Sequence, residues 1–190
     1  MIICMKDLVG KEILAGAVNG KNIFASCVSM TGEEPNQPTA LFLDFADIEV
    51  ATASALRESV IALKTYKRSI GSNLYPVLAN INDSVKDEVL VLMHARNDAI
   101  IACNLASNGN VCGIHLIGEL DPKQAMTFEH VTRLNGADAG SLMKKFGEEE
   151  KTTSTTAWNN RLAGLVQRGL LREFTDGRSK FYRPLLEEAS

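Results

Sequence analysis

The sequence predicts a two-part chain. An α/β or α+β domain fills residues 1–119, and a smaller domain of helices closed by a β-hairpin fills residues 120–190. Three observations predict it. Short apolar runs of strand length alternate with stretches of helical period through residue 118. Residues 119–123 (ELDPK) then break the composition, and Pro122 suits the first turn of a new helix. Finally, the helix-period stretch 152–168 leads into two short runs joined at Thr175-Asp176-Gly177-Arg178, a tight hairpin signal.

Within the first domain, residues 12–30 (EILAGAVNGKNIFASCVSM) read as two apolar strands turned at Asn19-Gly20. Two prolines and two adjacent acids make 31–38 a loop, and TALFLDF (39–45) reads as a buried strand. A helix follows over about 52–69. Ala55, Leu56, Val60, Leu63 and Lys67 recur three or four apart, with Arg57, Glu58 and Lys64 on the other face. Thr52 suits its N-cap and Gly71 its stop. LYPVLANI (74–81) reads as a strand, which Pro76 assigns to an edge or a strand start. Asn82 or Asp83 caps a helix over 83–96 with Val85, Val89, Leu92 and Met93 inward. AIIACNL (99–105) and VCGIHLIG (111–118) form a second hairpin turned at Asn108-Gly109-Asn110.

Within the second domain, a helix over about 122–135 stops at Asn135-Gly136. A short helix runs from Asp138 to Phe146 and ends at Gly147, with Leu142, Met143 and Phe146 inward. The run Thr152, Thr153, Ser154, Thr155, Thr156 supplies the cap of the next helix. That helix turns Trp158, Leu162, Leu165 and Val166 inward, which leaves Thr155, Thr156, Asn159, Asn160 and Ala163 on its other side.

Charge is segregated along the chain. The formal net charge is -3, which alone argues against nucleic acid. Residues 151–185, however, carry seven basic residues against Glu173 and Asp176, a net of +5, behind an acidic body. At 45% hydrophobic, the composition buries a core without staples. Cys4, Cys27, Cys103 and Cys112 form no CxxC pair and read as buried free thiols in a reducing cytoplasm. Lys6, Asp7 and Lys11 interrupt the start, so no secretory leader is expected, and no run of about 18 apolar residues reaches across a membrane.

No nucleotide loop, zinc helix or serine elbow occurs, and His94, His115 and His130 lie far apart. The expectation is a non-enzymatic protein with no catalytic residues, cofactor or metal. Cys103 and Cys112, flanking one hairpin, read as adjacent thiols. Asp44, Asp47 and Glu49 read as a solvated loop, although such a cluster has the hard oxygens that Mg²⁺ favours.

The stretch TTAWNNRLAGLVQRGLLREFTDGRSKFYRP, preceded by DAGSLMKKFG, resembles the winged helix-turn-helix transcription regulators. The resemblance covers roughly residues 122–186 and implies double-stranded DNA as partner. Its recognition helix enters the major groove by its N-terminal end. The residues expected at DNA are Ser154, Thr155, Thr156, Asn159, Asn160 and Arg161 on the helix, with Arg178 and Lys180 at the wing. Asn bonds adenine through two hydrogen bonds, and Thr offers a hydroxyl and a methyl. Glu148, Glu149 and Glu150 precede that helix and would repel phosphate if they faced the duplex. A homodimer is expected, since such regulators read two half-sites. The alternative is a winged helix that docks protein in place of DNA.

The segment LFLDFADIEVATASALRESVIAL (41–63) resembles the STAS-type module of anti-anti-sigma factors, and more closely the STAS-like domain found beside a helix-turn-helix. In that family a Ser or Thr at the start of this helix is phosphorylated by a kinase-type ATPase partner. Ser54 falls on that position with Thr52 close by, although Thr52-Ala53-Ser54-Ala55 stands where the family has Asp-Ser-Ser-Gly. The plainer role of both hydroxyls is helix capping.

Overall fold

The computed structural model describes residues 1–106, 108–177 and 179–187. Their contacts divide into two compact units, Met1–Glu119 with Leu186 and Glu187, and Leu120–Leu185.

The first unit is a mixed α/β structure. Its elements run β1 (Ile2–Cys4), α1 (Met5–Val9), β2 (Ile13–Leu14), α2 (Ala17–Met30), β3 (Thr39–Asp44) and β4 (Val50–Ala51). A continuous helix follows, composed of α3 (Ala53–Leu56), a π-helical turn (Arg57–Ile61) and α4 (Ala62–Ser69). Then come β5 (Leu74–Ala79), α5 (Asp83–Arg96), β6 (Ala99–Leu105) and β7 (Val111–Gly118). The main sheet has the order β1-β3-β5-β6-β7, parallel except for antiparallel β7, and β2 and β4 form a small parallel ribbon.

Each parallel crossover steps one strand in the same direction. Right-handed crossovers therefore put their helices on one face of the sheet. The core follows that rule. Ile3, Leu41, Leu43, Leu78, Ile100 and Ile117 of the strands share one buried cluster with Ile23, Leu56, Leu63, Val89 and Met93 of the helices. Thr52 caps α3 by accepting from Ala55 N–H, and Asn82 caps α5 by accepting from Val85 N–H at 2.9 Å.

Four expectations are corrected in this unit. Asn19-Gly20 is not a turn, because both residues lie inside α2. Glycine serves there for close approach: a Cβ on Gly20 would sit 2.5 Å from the Ala55 carbonyl oxygen. Pro76 lies in a central strand, not at an edge. Its missing N–H is tolerated because β5 pairs β6 only at Leu78 and Ala79, beyond the proline ring. Lys64 is buried, not on an outer face, and forms an ion pair with Asp98. Of the cysteines, Cys112 is exposed, since β7 is a sheet edge.

The second unit contains α6 (Pro122–Arg133), α7 (Ala139–Phe146), α8 (Thr155–Gln167) and the hairpin β8 (Leu171–Asp176) and β9 (Ser179–Pro184). Asp121 caps α6 by accepting from Lys123 and Gln124 N–H at 3.0 Å, with Pro122 at the first helical position. Asp138 caps α7. Val131, Leu142, Phe146, Trp158, Leu162, Leu165, Leu171 and Tyr182 are buried here. Ala137, between α6 and α7, exchanges two 2.9 Å hydrogen bonds with Tyr182, adding a short third rung to the hairpin. Gly164 of α8 faces α6, where a Cβ would lie 2.9 Å from the side-chain amide nitrogen of Gln124.

Candidate nucleic-acid interface

The second unit carries an open groove of about 690 Å³. Asp138, Ala139 and Gly140 at the start of α7 form one wall. Thr155, Asn159, Asn160 and Ala163 of α8 form the floor, and Ser179, Lys180, Phe181 and Tyr182 of β9 form the other wall. Helical period decides which side chains of α8 reach it. Trp158, Leu162 and Leu165 point to the core, so Thr155, Thr156, Asn159, Asn160 and Ala163 are left exposed.

The start of α8 is anchored from behind. The Trp158 indole N–H donates to the Thr152 carbonyl at 2.9 Å, which fixes the turn ahead of the helix. Ser154 occupies the N-cap position, is exposed, and makes no capping hydrogen bond through its side chain. Thr155 Oγ1 meets the Met143 sulfur at 3.1 Å. The helix thus presents backbone N–H groups and small hydroxyls at its positive end.

One of the expected contacts sits apart from this row. Arg161 turns inward: Nη2 donates to the Thr152 hydroxyl at 2.9 Å, and the guanidinium lies 5.1 Å from the Trp158 ring centroid. Arg178 lies outside the described residues. Lys180 is exposed on β9 and pairs with Glu173 at 2.8 Å. Burial pushes the Tyr182 hydroxyl up to about 12, with Glu173 adding to the shift.

The acidic run before α8 is divided. Glu148 and Glu149 are exposed. Glu150 turns back to His130, with Oε1 3.3 Å from Nε2, and the His130 ring stacks on Phe146 at 3.8 Å. Asp138, on the groove wall, is committed to its own helix. The Ser141 hydroxyl donates to it at 2.6 Å and, with backbone N–H bonds, holds the carboxyl below its ordinary range.

Lys144 and Lys145, absent from the residues expected at DNA, are both exposed in the last turn of α7 and line a smaller recess with Gly147, Glu148 and Thr153. Adjacent cations just before a glycine stop were the available signal, but such residues ordinarily serve a helix C-terminus. Phe181 is absent from those expected residues too. It is exposed on the groove wall and packs where Gly136 leaves room, since a Cβ on Gly136 would lie 2.6 Å from the Phe181 ring.

In the first unit, the Thr52 and Ser54 hydroxyls lie 3.2 Å apart at the start of α3, and Thr52 Oγ1 also accepts from Gly16 N–H at 3.2 Å. Both side chains are half-buried. Asp44 accepts from Ala46 N–H at 3.0 Å and from the Asn80 amide at 2.9 Å. Among the described residues, no three His, Cys, Asp or Glu side chains are grouped to hold a metal ion, and no helix is long and apolar enough to cross a membrane. Cys103 is buried in β6, where desolvation pushes its thiol up to about 11, and exposed Cys112 lies opposite its neighbour Asn104. Comparison with protein-family models and with curated proteins finds no match to this chain.

Proposed function

We propose that this protein is a DNA-binding transcription regulator. Its Leu120–Leu185 unit is a winged helix that carries α8 into the major groove. The observation that carries this reading is the exposed row Thr155, Asn159, Asn160 and Ala163 on the floor of an open groove, with Thr156 exposed beside it, facing the β8–β9 hairpin as a wing. Lys144, Lys145 and Lys180 supply exposed cations beside it for phosphate. The protein works in the cytoplasm as a homodimer on two half-sites, and it is not an enzyme.

The test is retention of a mixed-sequence duplex by the full chain at low salt. Lys144→Ala, Lys145→Ala and Lys180→Ala together should weaken retention about equally on every sequence. Undiminished retention by the triple variant would refute the assigned face.

The Met1–Glu119 unit is then a STAS-like module that senses or binds a partner. The paired Thr52 and Ser54 hydroxyls at the start of α3 favour control by a kinase-type ATPase acting at Ser54. Peptide mass mapping of the chain isolated from its cells checks this: phosphate on Ser54 supports it. An unmodified Ser54 that also resists transfer from ATP by every co-purifying kinase refutes it, and leaves Thr52 and Ser54 as capping residues. Recovery of such an ATPase with no duplex retention would favour a protein-docking role for the winged unit.

A further inference from the structure

The row on α8 has a chemical bias that narrows the DNA it can read, and the argument rests on the groove being a duplex interface. Arg161 is the one charged residue in the helix TTAWNNRLAGLVQ. It is withdrawn from the exposed side by its hydrogen bond to Thr152 and its place over Trp158. The exposed side chains of α8 are Thr155, Thr156, Asn159, Asn160, Ala163 and Gln167.

In the major groove, guanine offers two acceptors and is read by Arg or Lys, while cytosine offers a donor that Asp or Glu accepts. The exposed face of α8 has none of these. Adenine offers a donor beside an acceptor, which matches the carboxamide of Asn or Gln, and thymine offers a methyl, which matches Ala and the Thr methyl. The acid lining the groove, Asp138, is engaged by Ser141 through both its backbone N–H and its hydroxyl.

We propose that α8 reads A·T base pairs, with Asn159 and Asn160 as the adenine-reading residues. From Thr155 to Ala163 the helix rises about 12 Å at roughly 1.5 Å per residue. With about 3.4 Å per base step, that length faces about four base pairs. The bound site therefore contains a core of about that length made of A·T pairs.

The experiment is selection of duplexes from a random pool by the full chain, followed by binding measurements on the selected site. The expected result is an A·T core, and replacing one of its pairs by G·C weakens binding about tenfold. The double variant Asn159→Ala, Asn160→Ala loses that discrimination and binds the selected site and its G·C-substituted form about equally. Asn160→Arg moves the preference at one position towards G·C. Both side chains are exposed, so thermal melts of these variants should match the parent. A G·C core, or retention without sequence preference, overturns this inference and leaves the duplex reading standing. No retention of any duplex at low salt overturns both.

Discussion

Arg161 donates to the Thr152 hydroxyl at 2.9 Å with its guanidinium 5.1 Å from the Trp158 ring, and Trp158 in turn donates to the Thr152 carbonyl at 2.9 Å. The three residues form one brace behind the start of α8. The brace spends the helix's only charge on local structure and leaves an uncharged face of Thr and Asn outward.

Arg161 therefore acts on stability more than on DNA. Arg161→Ala should cost about 1–2 kcal/mol, the combined scale of one hydrogen bond and one partly desolvated cation–π contact. The salt dependence of duplex binding should hardly change, because the guanidinium is not placed at phosphate. Urea unfolding and salt titration of the same variant check the two halves. A lower salt slope with unaltered stability would mean that Arg161 reaches the duplex.

Glu34 makes the first unit sensitive to acid. Burial alone would raise its carboxyl, but hydrogen bonds from Ser72, Lys67 and the Asn73 N–H outweigh burial and set it below the ordinary 4.5. Lys67, itself buried, also donates to the Thr31 carbonyl at 2.9 Å, so the cluster pins the 31–38 loop to α4. A depressed carboxyl contributes stability above its unfolded value, and that contribution is lost as pH falls through its folded value. Glu34→Gln should therefore be less stable than the parent near about pH 7, with the gap narrowing as pH falls below 4.5. Denaturation across that range checks it, and a gap that does not vary with pH would contradict it.

Gly20→Ala should destabilise the protein despite the better helix propensity of alanine. Propensity favours Ala by about 1 kcal/mol. The new Cβ would lie 2.5 Å from the Ala55 carbonyl oxygen and 2.9 Å from the Glu58 Cβ, and relieving such overpacking costs about 1–3 kcal/mol. Both obstacles are backbone or near it, so neither swings aside cheaply. The midpoint of denaturant unfolding is the readout. A stabilised variant would mean that α2 and the helix starting at Ala53 separate easily.

Legibility in the sequence follows how local each cause is. Caps were readable at Thr52 and Asn82, because a cap is a contact across three residues. The inward stripes of α5 and α8 were readable too, since Val85, Val89, Leu92 and Met93, and Trp158, Leu162 and Leu165, keep one helical period. The failures at Gly20, Lys64 and Pro76 are non-local, whereas the side-chain cap expected of the 152–156 run is not made by Ser154. Gly20 looks like a turn residue until Ala55, far along the chain, is known to pack on it. Lys64 looks solvated until Asp98 is known to be its partner. Pro76 looks like an edge residue until the β5–β6 pairing is known to start after it. On the candidate face, the outward Thr and Asn row was legible from period. The inward turn of Arg161 was not, because it depends on where the Thr152 hydroxyl and the Trp158 ring come together.

The most direct test of the central claim is the affinity of the full chain for duplex DNA across a salt series. Measurable binding is expected at low salt, with log K falling linearly in log salt. Replacing Lys144, Lys145 or Lys180 by Ala should each reduce the slope by about 1. Absence of duplex binding even at the lowest salt would contradict it.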